Sequence, residues 1–332
     1  MTTEDARGTR ATAPTRRRLL AAGALAPAAL APVLAGAEPA AGAPASASRG
    51  GSVPLRPLTT RLADWRRVAE VLRTPGKLTG GDTVFRANFP RGDLRVSSHG
   101  VAGVPVASYA AFARYPDGRT MLMGDVVATE PELQRVTDAL QAHGLEQTAI
   151  HKHLLAHRPD LWWTHVHGMA PDGVRLARAM RAALDATSTP EAEESATPEE
   201  PVDLDTAAID AALGARGRSE AGYRFSFARR ETVSDHHYVV PAAMGVTTAI
   251  TFQPVGDGRA AVSGDFVMIA GEVQAVIAAL RKGRISVVEL HNHGLRDEPR
   301  LFYLHFWAVG DAVRLARTLQ RAKAATNVVP AT

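Results

Sequence analysis

The sequence predicts an α+β protein built from two tandem repeats, paired within the chain as a pseudo-dimer. Each repeat is expected to be an antiparallel sheet with helices on one face. Three observations carry this expectation. An ordered series of short motifs occurs twice at a nearly constant offset. Each copy alternates extended apolar runs with stretches of helical period. An acidic segment with three prolines and no apolar period lies between the copies.

The duplication is read directly from the motifs. Pro116-Asp117-Gly118-Arg119 returns as Gly256-Asp257-Gly258-Arg259, and Met123-Gly124-Asp125 as Ser263-Gly264-Asp265. Glu132-Leu133-Gln134 returns as Glu272-Val273-Gln274, and Val174-Arg175-Leu176-Ala177-Arg178 as Val313-Arg314-Leu315-Ala316-Arg317. A stacked solenoid needs at least three units. Two units match a fused equivalent of a two-fold homodimer.

Residues 1–37 read as a twin-arginine-type signal peptide. Arg16-Arg17-Arg18 precedes Leu19-Leu20, an Ala/Leu/Pro run and the small residues Ala35-Gly36-Ala37. The run contains Pro27 and Pro32 and is shorter than the roughly 20 residues a bilayer requires, so no stable membrane anchor is expected. Residues 38–60, rich in Ala, Pro, Ser and Gly, read as a flexible leader. Repeat 1 is assigned to 61–187, a disordered acidic linker to 188–202 and repeat 2 to 203–325.

Each repeat opens with a helical pattern, Leu62–Leu72 and Leu204–Leu213, closed by Gly or Pro. Extended stretches follow at Val84–Asn88 and Tyr223–Phe227. The spacing then predicts hairpins, Val106–Tyr115 with Thr120–Val127 and Thr247–Val255 with Ala260–Met268, turned at Asp117-Gly118 and Asp257-Gly258. Helices are expected over Glu130–His143 and Gly271–Arg281, then a histidine-bearing hairpin, then helices over Asp172–Asp185 and Asp311–Lys323. The order strand-strand-helix-strand-strand-helix is a ferredoxin-like order with its last strand moved to the front. A circularly permuted ferredoxin-like sandwich is therefore expected in each half.

Composition narrows the function classes. The chain of 332 residues is 45% hydrophobic and 22% charged, with net charge +4 and no cysteine. Disulfides, thiolate metal sites and cysteine nucleophiles are excluded. No basic tract with interleaved aromatics follows the first twenty positions, so nucleic acid is not an expected partner. There is no Gly-x-Ser-x-Gly elbow, phosphate loop, dinucleotide fingerprint or His-Glu-x-x-His helix.

The chemistry lies in the histidines. Of twelve, seven fall in four runs: His151 and His153, His165 and His167, His291 and His293, and His305. Residues two apart on a strand share a face, so each set is expected to converge on the uncovered face of its sheet. Asp125, Asp265 and Glu289 have compatible parity and are assigned second-shell or acid/base roles. Imidazoles clustered with carboxylates suit zinc or another divalent transition metal. The first copy offers four imidazoles and the second three, with Trp307 in the fourth place, so either one copy holds the site, the first being favoured, or one composite site spans the interface between the copies. His157 is expected to be exposed in a turn, and His236-His237 to lie near an extended segment. Three readings stand: a protein binding a metal ion or small ligand, a metal-dependent hydrolase or lyase, and a structural envelope protein whose histidines bond carbonyls and each other.

Long motifs also resemble the LppY/LpqO family of bacterial exported proteins and lipoproteins. They are Phe89-Pro90-Arg91-Gly92-Asp93-Leu94, Met123-Gly124-Asp125-Val126-Val127, Thr148-Ala149-Ile150-His151-Lys152-His153-Leu154-Leu155, Ala243-Met244-Gly245-Val246, Ser263-Gly264-Asp265-Phe266-Val267, His291-Asn292-His293 and Glu298–Ala308. The resemblance spans about residues 60–325. It implies export and a duplicated fold, without an activity. Lys152 stands where the family pattern has Asn, and the lipobox cysteine of many members is missing.

Export through the twin-arginine route yields an expected outcome. Replacing Arg16 and Arg17 by lysine leaves precursor in the cytoplasm on fractionation, and unchanged export of the variant excludes this route.

Overall fold

The computed structural model describes residues 53–191 and 202–331. The expected signal peptide, the start of the leader and most of the acidic linker lie outside the described residues. In repeat 1 the strands run across the sheet in the order Lys77–Thr79, Val84–Pro90, Ala107–Arg114, Thr120–Thr129, Leu161–Ala170, Glu146–His151. In repeat 2 the order is Arg218–Ser219, Tyr223–Arg229, Thr247–Pro254, Arg259–Ile269, Leu301–Asp311, Ser286–His291. Equivalent strands occupy equivalent places, and neighbours are antiparallel throughout. Val328–Pro330 adds to the outer edge of Tyr223–Arg229.

Period-two burial builds each sheet. Along Tyr223–Arg229, Tyr223, Phe225 and Phe227 are buried while Arg224 and Ser226 face outward. The buried side receives three helices. In repeat 1 these are Arg66–Leu72, Glu130–Ala142 and Gly173–Asp185, packed over Trp65, Phe85, Phe112 and Leu122. In repeat 2 they are Thr206–Leu213, Val273–Lys282 and Ala312–Lys323, packed over Phe227, Phe252, Phe266 and Phe306. Local chemistry starts these helices. Thr129 and Glu132 form a capping box, and Asp172, Asp205 and Asp311 each accept a hydrogen bond from a first-turn N–H. The first 3-10 turn, Leu62–Trp65, precedes the opening helix where the sequence predicts one continuous helix.

The other faces of the two sheets meet. Met121, Met123 and Tyr115 of repeat 1 pack with Val267, Leu301 and Tyr303 of repeat 2. Reciprocally, Val127, Leu161 and Trp163 pack with Ala261 and Trp307. Val127 and Val267, Leu161 and Leu301, and Trp163 and Tyr303 are duplicate positions, so the contacts exchange as they do across a two-fold axis. Hydrogen bonds bridge the repeats as well: Thr148 Oγ1 donates to the His293 carbonyl at 2.7 Å, and Tyr115 Oη to the Val239 carbonyl at 2.7 Å.

Two expectations are corrected by these contacts. Residues 53–60 of the expected flexible leader are held: Leu55 exchanges backbone hydrogen bonds with His237 and Val239, and Leu58 N donates to the Arg114 carbonyl. Ser188, at the start of the expected disordered linker, donates its N–H to Glu132 Oε1 at 2.8 Å. In each case residues of the folded repeats satisfy the segment's backbone, which composition does not reveal.

Each sheet also buries one arginine in duplicate surroundings. Arg91 donates to both oxygens of Asp93 and of Glu132 and to the Val127 carbonyl. Arg229 does the same with Glu231, Glu272 and the Val267 carbonyl. Burial alone raises the Glu132 pKa, but donors from Thr129 N, Ser188 N and Arg91 outweigh it and hold the group at about 2. A depressed folded-state pKa gives stability that is present above the ordinary value near 4.5 and lost as pH falls toward 2. Glu132→Gln is expected to lower stability at pH 7 by about 3 kcal/mol, because it leaves a buried cation short of a partner. It should also flatten the acid limb of stability against pH in urea titrations. An unchanged acid limb would show that the ion pair does not control it.

Candidate metal centre

Cross-strand register places the polar residues in rows on the faces that meet. In repeat 1, Asn88, Tyr109, Asp125 and His165 lie directly opposite one another on successive strands. In repeat 2, Ser226, Ala249, Asp265 and His305 form the same row. The glycine before each aspartate permits this close stacking. A Cβ on Gly124 would stand 2.6 Å from the Tyr109 carbonyl oxygen, and one on Gly264 2.0 Å from that of Ala249.

The strands carrying His151 and His291 each contain a bulge, between Gln147 and Ala149 and between Val287 and Leu290. The extra residue shifts the alternation. Val287 therefore pairs with Phe306 on the helix side, while His291 pairs with Tyr303 on the opposite side. Glu289 falls inside the second bulge, unpaired with the neighbouring strand, and joins none of the donor groups described below. Simple parity overlooks the bulge, and the structure does not bring Glu289 into the donor groups with Asp125 and Asp265.

The result is one cluster across both repeats. His151 and His291 stack with ring centroids 3.9 Å apart, His153 meets His305 at 3.9 Å, and His165 meets His293 at 3.9 Å. Asp125 Oδ2 lies 3.4 Å from His153 Nε2, and Asp265 Oδ2 lies 3.3 Å from His293 Nε2. His151 Nε2 is 3.2 Å from His305 Nε2, and His293 Nε2 is 3.1 Å from His291 Nε2. Four triads have donor atoms within 4.8 Å of one another: His151, His165 and His291; His151, His153 and His305; Asp125, His153 and His165; Asp265, His291 and His293.

Backbone carbonyls orient the rings. His305 Nδ1 bonds the Gly264 carbonyl at 3.0 Å, and His293 Nδ1 bonds the Gly245 carbonyl at 3.0 Å. A carbonyl oxygen only accepts, so Nδ1 carries a proton in each ring and Nε2 is the nitrogen turned into the cluster. Burial, then neighbouring imidazoles, lowers the pKa of His151, His153, His165 and His291. Burial likewise lowers His305. Burial and then Asp265 push Asp125 well above the carboxylate range. His151 Nδ1, His153 Nε2, His165 Nε2, His291 Nδ1, Asp125 Oδ1 and Asp265 Oδ1 are buried without a hydrogen-bond partner. Such a concentration of orphaned atoms is costly in a folded interior unless something joins them.

Six of the seven histidines singled out in the sequence thus converge, along with both aspartates. His167 does not. Its Nε2 lies 2.8 Å from Asp235 Oδ2 and its Nδ1 3.5 Å from Glu146 Oε2, and Glu146 in turn pairs with Arg296. Of the two groupings the sequence offers, the four-imidazole set of the first copy is not the one assembled; the composite across the interface is, with three imidazoles from each repeat. The cause is the facing of the sheets, which brings the two histidine strands together. His157 is buried, with Nε2 3.0 Å from Leu161 N, rather than exposed. His236 and His237 are exposed and stand outside the cluster.

Two residues beside the centre carry no signal in the sequence. Tyr109 shares the row of Asp125 and His165, and its hydroxyl meets Gly245, whose carbonyl orients His293. Burial raises its pKa to about 12. Arg86 lies over the Tyr109 ring, 3.7 Å from the centroid. Its hydrogen-bond acceptors are neutral, Asn88 Oδ1 at 3.3 Å and the Ala243 carbonyl at 3.4 Å. The position equivalent to Tyr109 is Ala249, so the duplication itself gave no hint of it.

Comparisons with known proteins follow this geometry. No curated protein matches the chain. Among solved structures, a trimeric bacterial microcompartment shell protein, PduB, is 15% identical, covers 77% of this chain and 95% of its own, and has a TM-score of 0.20. The double-ringed trimeric shell protein MSM0271 from the RMM microcompartment is 13% identical, covers 62% and 82%, and has a TM-score of 0.17. Likeness at these scores carries no argument about fold or function. A family model does match, over residues 66–186 and again over 207–325, the same two units that repeat in motif and strand order. The chain belongs, as a tandem repeat, to the family described as Domain of Unknown Function (DUF1259).

Proposed function

We propose that this protein binds divalent transition-metal ions at the histidine seam between its repeats. One observation carries the reading. With its Nδ1 held by the Gly245 carbonyl, His293 Nε2 lies 3.3 Å from Asp265 Oδ2 and 3.1 Å from His291 Nε2. Zinc–nitrogen bonds of about 2.0–2.1 Å in a tetrahedron separate ligand atoms by about 3.3 Å. The spacing is that of two ligands on one ion, and the carbonyl bonds to His293 and His305 supply the outer support such ligands use. Zinc or another divalent transition metal suits this nitrogen and oxygen set.

The proposal extends to the setting. Export to the cell envelope or beyond rests on Arg16-Arg17 and the apolar run after them, and the LppY/LpqO resemblance supports it. No described helix is long and apolar enough to cross a membrane. The sheet order in both repeats supports the permuted ferredoxin-like reading of each half.

In the full-length mature protein without a tag, calorimetric titration should show zinc or copper binding tighter than about micromolar at neutral pH. His151→Ala with His153→Ala is expected to bind less metal than the wild type while keeping its circular dichroism. His167→Ala should retain it. Absence of binding in the wild type overturns the reading and leaves the histidines as packing between sheets.

A second reading, a metal-dependent hydrolase or lyase, is favoured by Arg86. A half-buried guanidinium with only neutral acceptors beside the centre suits an anionic ligand. Burial already lowers its pKa, which marks a cation short of compensation. Metal-loaded protein is expected to bind inorganic phosphate, and Arg86→Met to weaken that binding at least tenfold. Equal phosphate binding by both proteins would remove the support for this reading.

A further inference from the structure

We infer that the seam is a binuclear centre: it holds two divalent ions per chain, one on Asp265, His291 and His293 and one on His153 with its neighbours. The inference rests on the metal-binding reading above and adds number and place to it. The four triads cannot all be filled, because they share His151, His153, His165 and His291. Two can be filled together without sharing a ligand, in two ways. Asp265, His291 and His293 combine with His151, His153 and His305, or with Asp125, His153 and His165. Every such choice contains the Asp265 triad, and every choice places His153 on the other ion.

The duplication supports two positions rather than one. Each repeat sets an aspartate Oδ2 against the Nε2 of its own second histidine, at 3.4 Å for Asp125 and His153 and at 3.3 Å for Asp265 and His293. Each aspartate also holds its other oxygen about one ring away from the histidine opposite it on the next strand: 4.0 Å for Asp125 and His165, 3.9 Å for Asp265 and His305. These are two copies of one half-site, facing each other across the stacked rings of His151 and His291. Eight donor residues could supply four to each ion, the number a closed tetrahedral site uses, or three to one of them with a position left open. His153 keeps a quarter of its side chain exposed, so its ion is the one a small ligand reaches.

The test counts ions on the intact mature protein after loading with zinc and gel filtration, with metal measured by elemental analysis. Two equivalents are expected for the wild type. His293→Ala and His153→Ala should each retain one, and the double variant none. Copper-loaded wild type provides a readout that does not depend on how any variant folds: two ions held in adjoining triads of one cluster should couple and give a half-field signal in electron paramagnetic resonance. One zinc equivalent without that signal overturns the binuclear inference and leaves metal binding intact. No bound metal removes both. Two equivalents retained by His293→Ala would overturn the assignment of the first ion to the Asp265 triad.

Discussion

Burying ionisable groups in a dry seam is the constraint on which the rest of this structure depends. Six imidazoles and two carboxylates lie where two sheets meet, and most are almost fully buried. A charged group in such a place is unfavourable unless paired, so His151, His153, His165, His291 and His305 are driven neutral and Asp125 is pushed toward its protonated form. The surrounding framework is apolar and duplicated, with one packed cluster on each side of the seam. The repeats therefore do more than stack. They enclose a polar strip that neither encloses alone.

Fusion of two copies in one chain has let the halves diverge at the edges of that strip. Asn292 donates to the Thr148 carbonyl across the seam, whereas its counterpart Lys152 turns outward to Asp160 and over Trp162. His167 reaches Asp235, while its counterpart Trp307 fills the apolar cluster beside Val127. Tyr109 and Arg86 border the centre on one side, and Ala249 takes the place of Tyr109 on the other. The central donors remain matched, with Asp125 for Asp265, His151 for His291, His153 for His293 and His165 for His305. Divergence thus surrounds a conserved geometry within this one chain, and it makes the approaches to the two halves chemically different.

Much of the fold was legible because its signals are local. Period-two burial, Asp-Gly turns and first-turn caps sit within a few residues of the elements they specify, and the helices and strands fall within a few residues of their expected bounds. Export stands apart, since its sequence lies outside the described residues. The histidines were legible as a set, and a composite across the interface as one of two possible groupings, but not which of the two forms. Convergence of His151 with His291 is set by how two sheets face, a contact over 140 positions that no periodicity encodes. The bulges at Gln147–Ala149 and Val287–Leu290 erased the parity on which Glu289 had been placed. Tyr109 and Arg86 were illegible for a simpler reason: a tyrosine and an arginine on alternating strands look like ordinary sheet residues until the opposite repeat closes over them.

On the proposed reading, metal and fold are coupled through the same atoms. Without an ion, burial and Asp265 oppose the ionisation of Asp125, and several buried nitrogen and oxygen atoms have no hydrogen-bond partner. A divalent cation reverses each of those terms. It favours the carboxylate, accepts the lone pairs and leaves the carbonyl-bonded Nδ1 protons in place. Ligands from both repeats would then hold the sheets together, so ion binding acts on the interface and not only on a pocket. Because the unfolded chain has no such preformed set, the binding free energy adds to the stability of the paired state. The apolar clusters on either side already pack the repeats. The ion's contribution is therefore order at the seam rather than the existence of the fold, which is the arrangement expected when a centre is there to bind or to react and not merely to staple.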